Sequence, residues 1–175
     1  MEKHSKTFLK LMEVFAGIAM VGYAIEAGSK IIATIVSMKN PVGAHNLYMG
    51  LDMSPVYTHS KPYFVMAMTM LIAIPILKSA IWWAVIVMLR KLDLDNPFSQ
   101  DFTAGFGKVV NLLSGIVILS VVANLWLKWL EKTVGHYDFP RLAVEEYLFM
   151  TALVFILTQI FKKGHELKQE TDLTI

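Results

Sequence analysis

Four long apolar stretches alternate with short polar segments along the 175-residue chain, at Phe8–Met38, Tyr63–Leu89, Val109–Leu130 and Leu142–Phe161. A helix needs about 20 mostly apolar residues to cross a bilayer. Each stretch therefore predicts a span, at about 8–38, 63–89, 109–130 and 142–161. The predicted fold is all-α: an integral membrane four-helix bundle that forms a single membrane domain over residues 1–175. The connecting segments then fall into two groups. Loops 39–62 and 131–141 lie on one side, and loop 90–108 and the tail 162–175 lie on the other.

Interruptions within the stretches refine this outline. In the first, "IEAGSK" breaks the apolar pattern with Glu26 and Lys30. Either the membrane segment sits early and the second half projects outward, or it sits later with both charges inside the bundle. The second contains Pro75, tolerable in a membrane helix because neighbours can satisfy the freed carbonyl, and Lys78 follows three residues later. Trp126 and Trp129 near the end of the third suggest an interfacial aromatic belt. The long loop "KNPVGAHNLYMGLDMSPVYTHSKP" is rich in turn formers and has room for a short hairpin over the bundle mouth. No repeat relates the two halves.

Composition agrees with a membrane protein. The chain is 55% hydrophobic and 17% charged, with mean hydropathy +0.53, where soluble domains average about 25% charged residues. A net charge of +2 and the lack of a basic patch give no sign of direct nucleic-acid binding, and the absence of cysteine removes disulfides and thiolate metal sites. Lys3, Lys6, Lys10, Arg90, Lys91, Lys108, Lys162, Lys163 and Lys168 lie on the side of the termini, against Lys39, Lys61, Lys128, Lys132 and Arg141 on the other. Cytoplasmic flanks collect Lys and Arg, so both termini are expected in the cytoplasm. The basic N-terminus, interrupted by Glu13, is expected to be an uncleaved signal-anchor.

Few residues suggest chemistry. Charges deep in a membrane are costly and are usually paired or functional, which singles out Glu26, Lys30 and Lys78. Glu26 and Lys30 are spaced to pair along one helix face. A pair between Glu26 and Lys78 inside the bundle is the sharper alternative, with Lys78 snorkelling to the inner surface as the plainer one. His45, His59 and His136, with Asp52 and Asp138, map to the outer side, but no ligand spacing among them supports a metal site. Met66, Met68 and Met70 would spread around a helix rather than line a copper path. Asn111 and Asn124 suit interhelical hydrogen bonds. No nucleophile–base set, phosphate loop or nucleotide fingerprint is present, so neither an enzyme nor a cofactor is expected.

The loop "LDLDNPFSQDFTAGFGKV" is the most patterned polar segment. Pro97 marks a stop, Ser99 a helix N-cap and Asp101 the favourable first turn. Phe98, Phe102 and Phe106 recur every four residues, which predicts a helix against the inner interface before the third span. That stripe serves either as a membrane anchor or as a docking face for a cytosolic partner. At the far end, Asp172, Leu173, Thr174 and Ile175 alternate polar and apolar. A short extended tail is expected there, either paired with another chain or folded back on the loop near Phe98.

"DNPFS" before a span, together with the terminal "IFKKGHELKQETDLTI", resembles the DUF2975 family of small bacterial four-span membrane proteins. The resemblance rests on Asn96, Pro97, Phe98 and Ser99, then on Phe161, Gly164, Glu166, Leu167, Glu170, Asp172, Leu173, Thr174 and Ile175. The span plan agrees along the whole chain. "SQDF" departs from the acidic residue and Asn that often follow the Ser in such proteins. The family has no established activity, and its members are often encoded beside a small helix-turn-helix regulator. The resemblance thus implies a protein of the bacterial inner membrane whose partners are the lipid bilayer and a cytosolic regulator, with a homo-oligomer also open. The expected function is a non-catalytic regulatory or binding module. Its partner or switch surface would comprise Asn96, Pro97, Phe98 and Ser99 with Glu170, Asp172, Leu173, Thr174 and Ile175. The alternatives are a small transporter or channel subunit using Glu26, Lys30 and Lys78, and an accessory subunit of a larger membrane complex.

Overall fold

The computed structural model describes residues 2–93, 97–135, 139 and 141–172. Four long helices dominate: α1 (Glu2–Lys39), α3 (Lys61–Arg90), α4 (Gln100–Val134) and α5 (Val144–Asp172), with a short α2 (Ser54–His59) between the first two. All four are long and apolar enough to cross a membrane, which marks the chain as a multi-pass membrane protein. No strand occurs among the described residues.

Local chemistry sets the helix ends. Pro62 occupies the first turn of α3, where a missing N–H costs nothing. Ser99 caps α4, its hydroxyl accepting the Phe102 amide at 3.4 Å, and Asp101 adds a negative charge to that first turn. Gly135, at φ 104°, closes α4 in a conformation that side chains disfavour. Pro75 sits inside α3 and is buried. It has no N–H for the Leu71 carbonyl, yet the helix continues.

Each long helix packs on its neighbour in the chain: α1 on α3, α3 on α4 and α4 on α5. No comparable α1–α5 packing occurs among the described residues. In the most apolar stretch of α1 and α5 only 6% of residues are buried, against 28% for α3 and α4. Thus α3 and α4 form the interior, and α1 and α5 are the flanks that turn apolar faces outward. Phe15, Ile18 and Ile25 on α1 and Phe149, Ile156 and Ile160 on α5 are among these exposed side chains.

The start of α1 and the end of α5 lie at one end of the bundle. Arg90 at the close of α3 bonds Glu13 near the start of α1, and Phe98 meets the last turns of α5. The largest buried cluster lies at the opposite end. There Ala44, Leu47, Met53 and Val56 of the long loop seat against Phe64, Ala67 and Met68 of α3 and Leu127 and Leu130 of α4. Asn124 reinforces this end. Its amide donates to the Leu142 carbonyl and its oxygen accepts the Leu142 amide, both at 2.9 Å, so α4 holds the segment that leads into α5.

As expected of one long helix, α1 runs unbroken through "IEAGSK", where an i,i+4 pair satisfies both charges without leaving the helix. The long loop forms two 3-10 turns (Pro41–His45 and Tyr48–Gly50) and α2 rather than a hairpin. The helix expected before the third span begins at Gln100, after the Ser99 cap, and is continuous with that span as α4, with Phe98 in the turn that precedes it. The helix leading into the tail continues through "HELKQE" to Asp172, and the extended tail expected over 172–175 lies, from Leu173 on, outside the described residues.

Candidate functional site

The expected surface forms where the Pro97–Ser99 segment meets α4 and α5. Phe102 and Phe106 lie one turn apart on α4, with their rings edge to face at 5.3 Å. Both turn toward Phe161 of α5, which stacks on Phe106 at 4.8 Å and meets Phe102 edge-on at 5.4 Å. Phe98 adds a fourth ring, 5.6 Å from Phe161. The regular spacing of the phenylalanines therefore serves helix–helix packing, not a lipid-facing anchor.

Two residues of α5 clasp the loop. A Cβ placed on Gly164 would lie 2.5 Å from Cδ1 of Phe98 and 2.6 Å from Cε1. Only glycine lets the ring lie this close to the helix. One residue on, His165 Nδ1 is 2.6 Å from the Phe98 carbonyl oxygen. A carbonyl only accepts, so Nδ1 carries the proton and donates. Nε2 of the ring lies 3.1 Å from the Gln169 amide nitrogen, which donates to it in the neutral imidazole.

Beside this latch, between α4 and α5, lies a groove of about 540 Å³. Gln100, Thr103, Lys108 and Asn111 line it from α4, and Lys162 and Glu166 from α5. The Thr103 hydroxyl is buried and finds no hydrogen-bond partner, an uncommon and costly state for a polar atom. Lys91–Asp101 at 3.2 Å and Lys163–Glu166 at 3.1 Å lie around the rim. Such exposed pairs add little stability, so rings and latch hold the junction.

The structure brings Pro97, Phe98 and Ser99 together with α5. Glu170 is exposed on the last turns of that helix, and Asp172 closes it. Asn96, Leu173, Thr174 and Ile175 lie outside the described residues. Phe161 and His165 are partners of Phe98 that spacing along the chain does not reveal, because they stand more than sixty residues from it. The legible signal was the pairing of a ring stripe with the "FKKGH" segment.

The intramembrane charges are arranged differently from the sharper expectation. Glu26 pairs with Lys30 at 2.7 Å, its own helix neighbour. Lys78 sits between two tyrosine rings, 5.0 Å from the centre of Tyr23 on α1 and 5.4 Å from that of Tyr147 on α5. Cation–π attraction of this kind strengthens when water is excluded. Helix periodicity explains the choice: i,i+4 partners are always within reach, whereas an interhelical partner depends on the rotation of two helices.

On the far side, His45 lies 3.6 Å from Asp52 and His59 stacks on Tyr63. His136 and Asp138 lie outside the described residues. No group of three His, Cys, Asp or Glu side chains with metal-binding geometry occurs among the described residues. Burial pushes the Asp52 carboxyl up, but hydrogen bonds from Ser54 and the neighbouring His45 outweigh it and hold the group below its ordinary value. Met68 is buried, whereas Met66 and Met70 flank a shallow apolar groove beside Trp126 and Trp129.

No curated protein and no solved structure matches the chain. One family does: its sequence model, described as a protein of unknown function (DUF2975), matches residues 48–175. The match takes in α2 to α5, the ring cluster and the Phe98–His165 latch, and leaves out α1. With well over half of its length matched, the chain belongs to the DUF2975 family.

Proposed function

We propose that this protein is a non-catalytic regulatory module of the bacterial inner membrane, with both termini in the cytoplasm. The junction of the Pro97–Ser99 segment with α5 is its output surface. The observation that carries this reading is the latch: Phe98 lies in the notch at Gly164 and its carbonyl accepts from His165. An aromatic pair contributes about 0.5–1.5 kcal/mol and a hydrogen bond about as much again. A joint of that strength opens for a partner that gains only a few kcal/mol more from the open form, which is the condition for a usable two-state element. A small helix-turn-helix regulator is the partner of choice, on the strength of the family's gene neighbourhood. The adjacent groove, with Gln100, Lys108 and Lys162, offers polar contacts to such a protein.

The test is a photoreactive amino acid at Gln100, on the groove rim, activated in native membranes. Cross-linking to a small soluble DNA-binding protein supports the reading. Cross-links confined to the chain itself contradict it.

A second reading has its own observation. Glu26–Lys30 and the tyrosine-flanked Lys78 place charge within the spans, as a small ion or proton transporter would need. Proteoliposome flux that disappears in Glu26→Gln would favour it. The broad exposed faces of α1 and α5 also suit an accessory subunit covered by neighbours; a stable monomer in mild detergent argues against that.

A further inference from the structure

A cleft of about 560 Å³ opens at the end of the bundle away from the termini, where α1 and α5 do not pack on each other. Lys30 bounds it on α1, Leu71 on α3, Tyr48 to Leu51 in the loop, and Phe139, Arg141 and Leu142 ahead of α5. Leu71 lies ten residues along α3 from Lys61, about 15 Å at the helical rise, so the cleft reaches well below the loop surface. Its volume falls in the range of small-molecule sites, which combine apolar walls with a few convergent polar groups. Leu51, Leu71, Phe139 and Leu142 supply the walls, and Lys30 and Arg141 supply the charge.

The charge is uneven. Lys30 is held by Glu26 at 2.7 Å and lies 5.9 Å from the ring centre of Tyr48. Arg141 is exposed and forms no ion pair among the described residues. Glu145 and Glu146, in the first turn of α5, are exposed and do not line the cleft. Among the described residues, one positive charge is thus left without an ion-pair partner over an apolar floor. At the mouth, Met49 takes φ 60° and is 88% exposed, and Gly50 follows at φ 76°. A non-glycine residue in the left-handed region is uncommon and strained, and such strain concentrates at ligand clamps.

We infer that this cleft binds an amphiphilic monoanion, a carboxylate or phosphate head on an apolar chain, with the head at Arg141 and the chain laid along Leu71 and Leu142 between α1 and α5. Guanidinium suits such heads because it donates two parallel hydrogen bonds to one acidic group. The site lies on the extracytoplasmic side in the orientation proposed above, but its binding does not depend on that orientation or on any cytosolic partner.

The experiment uses the full chain in nanodiscs of neutral phosphatidylcholine, with empty discs as the blank. Radiolabelled dodecanoate is the probe, and dodecyl phosphate, inorganic phosphate and dodecyltrimethylammonium compete with it. Saturable binding of dodecanoate, displaced by dodecyl phosphate, is expected. Arg141→Gln, at an exposed position, should weaken it by about 10-fold, the scale of one lost charge-assisted interaction. Arg141→Glu should turn the preference toward the cationic amphiphile. Competition by inorganic phosphate as strong as that by dodecyl phosphate would assign a free-anion site and overturn the amphiphile. Equal competition by dodecyltrimethylammonium against the native chain, or unchanged affinity in Arg141→Gln, would overturn the inference altogether.

Discussion

Replacing Gly164 with alanine tests the latch without removing any group that forms it. The new methyl carbon would sit 2.5 Å from the Phe98 ring, where carbon–carbon contacts are comfortable at about 3.5–4.0 Å. The ring must therefore withdraw by roughly 1 Å or more, away from Phe161. That forfeits part or all of an aromatic contact of about 0.5–1.5 kcal/mol and strains the 2.6 Å bond from His165 to the Phe98 carbonyl. Alanine also gains about 0.8–1.0 kcal/mol over glycine inside a helix. The two effects nearly cancel, so thermal stability should barely move while the loop undocks. The assay must read the ring itself: 4-fluorophenylalanine placed at position 98, observed by fluorine NMR in micelles. We expect a changed shift and a narrower line in Gly164→Ala, with Tm within a few degrees of the parent. An unchanged fluorine signal would refute the steric reasoning. A large fall in Tm with the signal in place would show that Gly164 serves packing elsewhere.

Three further expectations follow from the same geometry. Glu26→Lys should destabilise the protein in detergent, and adding Lys30→Glu should restore it, whereas adding Lys78→Glu should not; rescue by Lys78→Glu alone would reinstate the interhelical pair. Asn124→Leu strips both partners from the Leu142 backbone, at about 1–3 kcal/mol for each orphaned group, and a denaturant or thermal titration showing less than about 1 kcal/mol would mean water replaces the amide. Asp52, with its pKa lowered in the folded loop, stabilises the folded loop fully above the unfolded carboxylate value of about 3.9 and loses that contribution as pH falls through the lower folded value. Hydrogen exchange of the Ser54 amide, which Asp52 accepts at 2.8 Å, should rise relative to Asp52→Asn only in that acid window.

Much of this architecture is visible in the chain because span length and apolarity are local properties. Four stretches of the right length give four long helices; α3 matches its expected limits within two residues, whereas α4 begins nine residues early and α5 runs eleven residues past its expected end. What escapes is anything set by how two helices rotate against each other. Phe98, Phe102 and Phe106 have the spacing of a stripe whether they face lipid or Phe161, and only the α4–α5 contact decides. In the tail, "HELKQE" is a run of good helix formers, and α5 continues through it to Asp172. His165 reads as one more loop histidine until the chain brings the Phe98 carbonyl to its Nδ1. The outer cleft was invisible because Lys30, Leu71 and Arg141 lie on separate segments and carry no motif.

The most direct test of the account is affinity capture of the tagged full-length chain from native membranes, beside a Phe98→Ala/His165→Ala variant. The account predicts that a small soluble helix-turn-helix protein comes down with the native chain in near-equal amount and not with the variant, and that its target transcripts shift between the two strains. Recovery of the same companions with both forms, or of none with either, would contradict the assignment of the latch as the output surface.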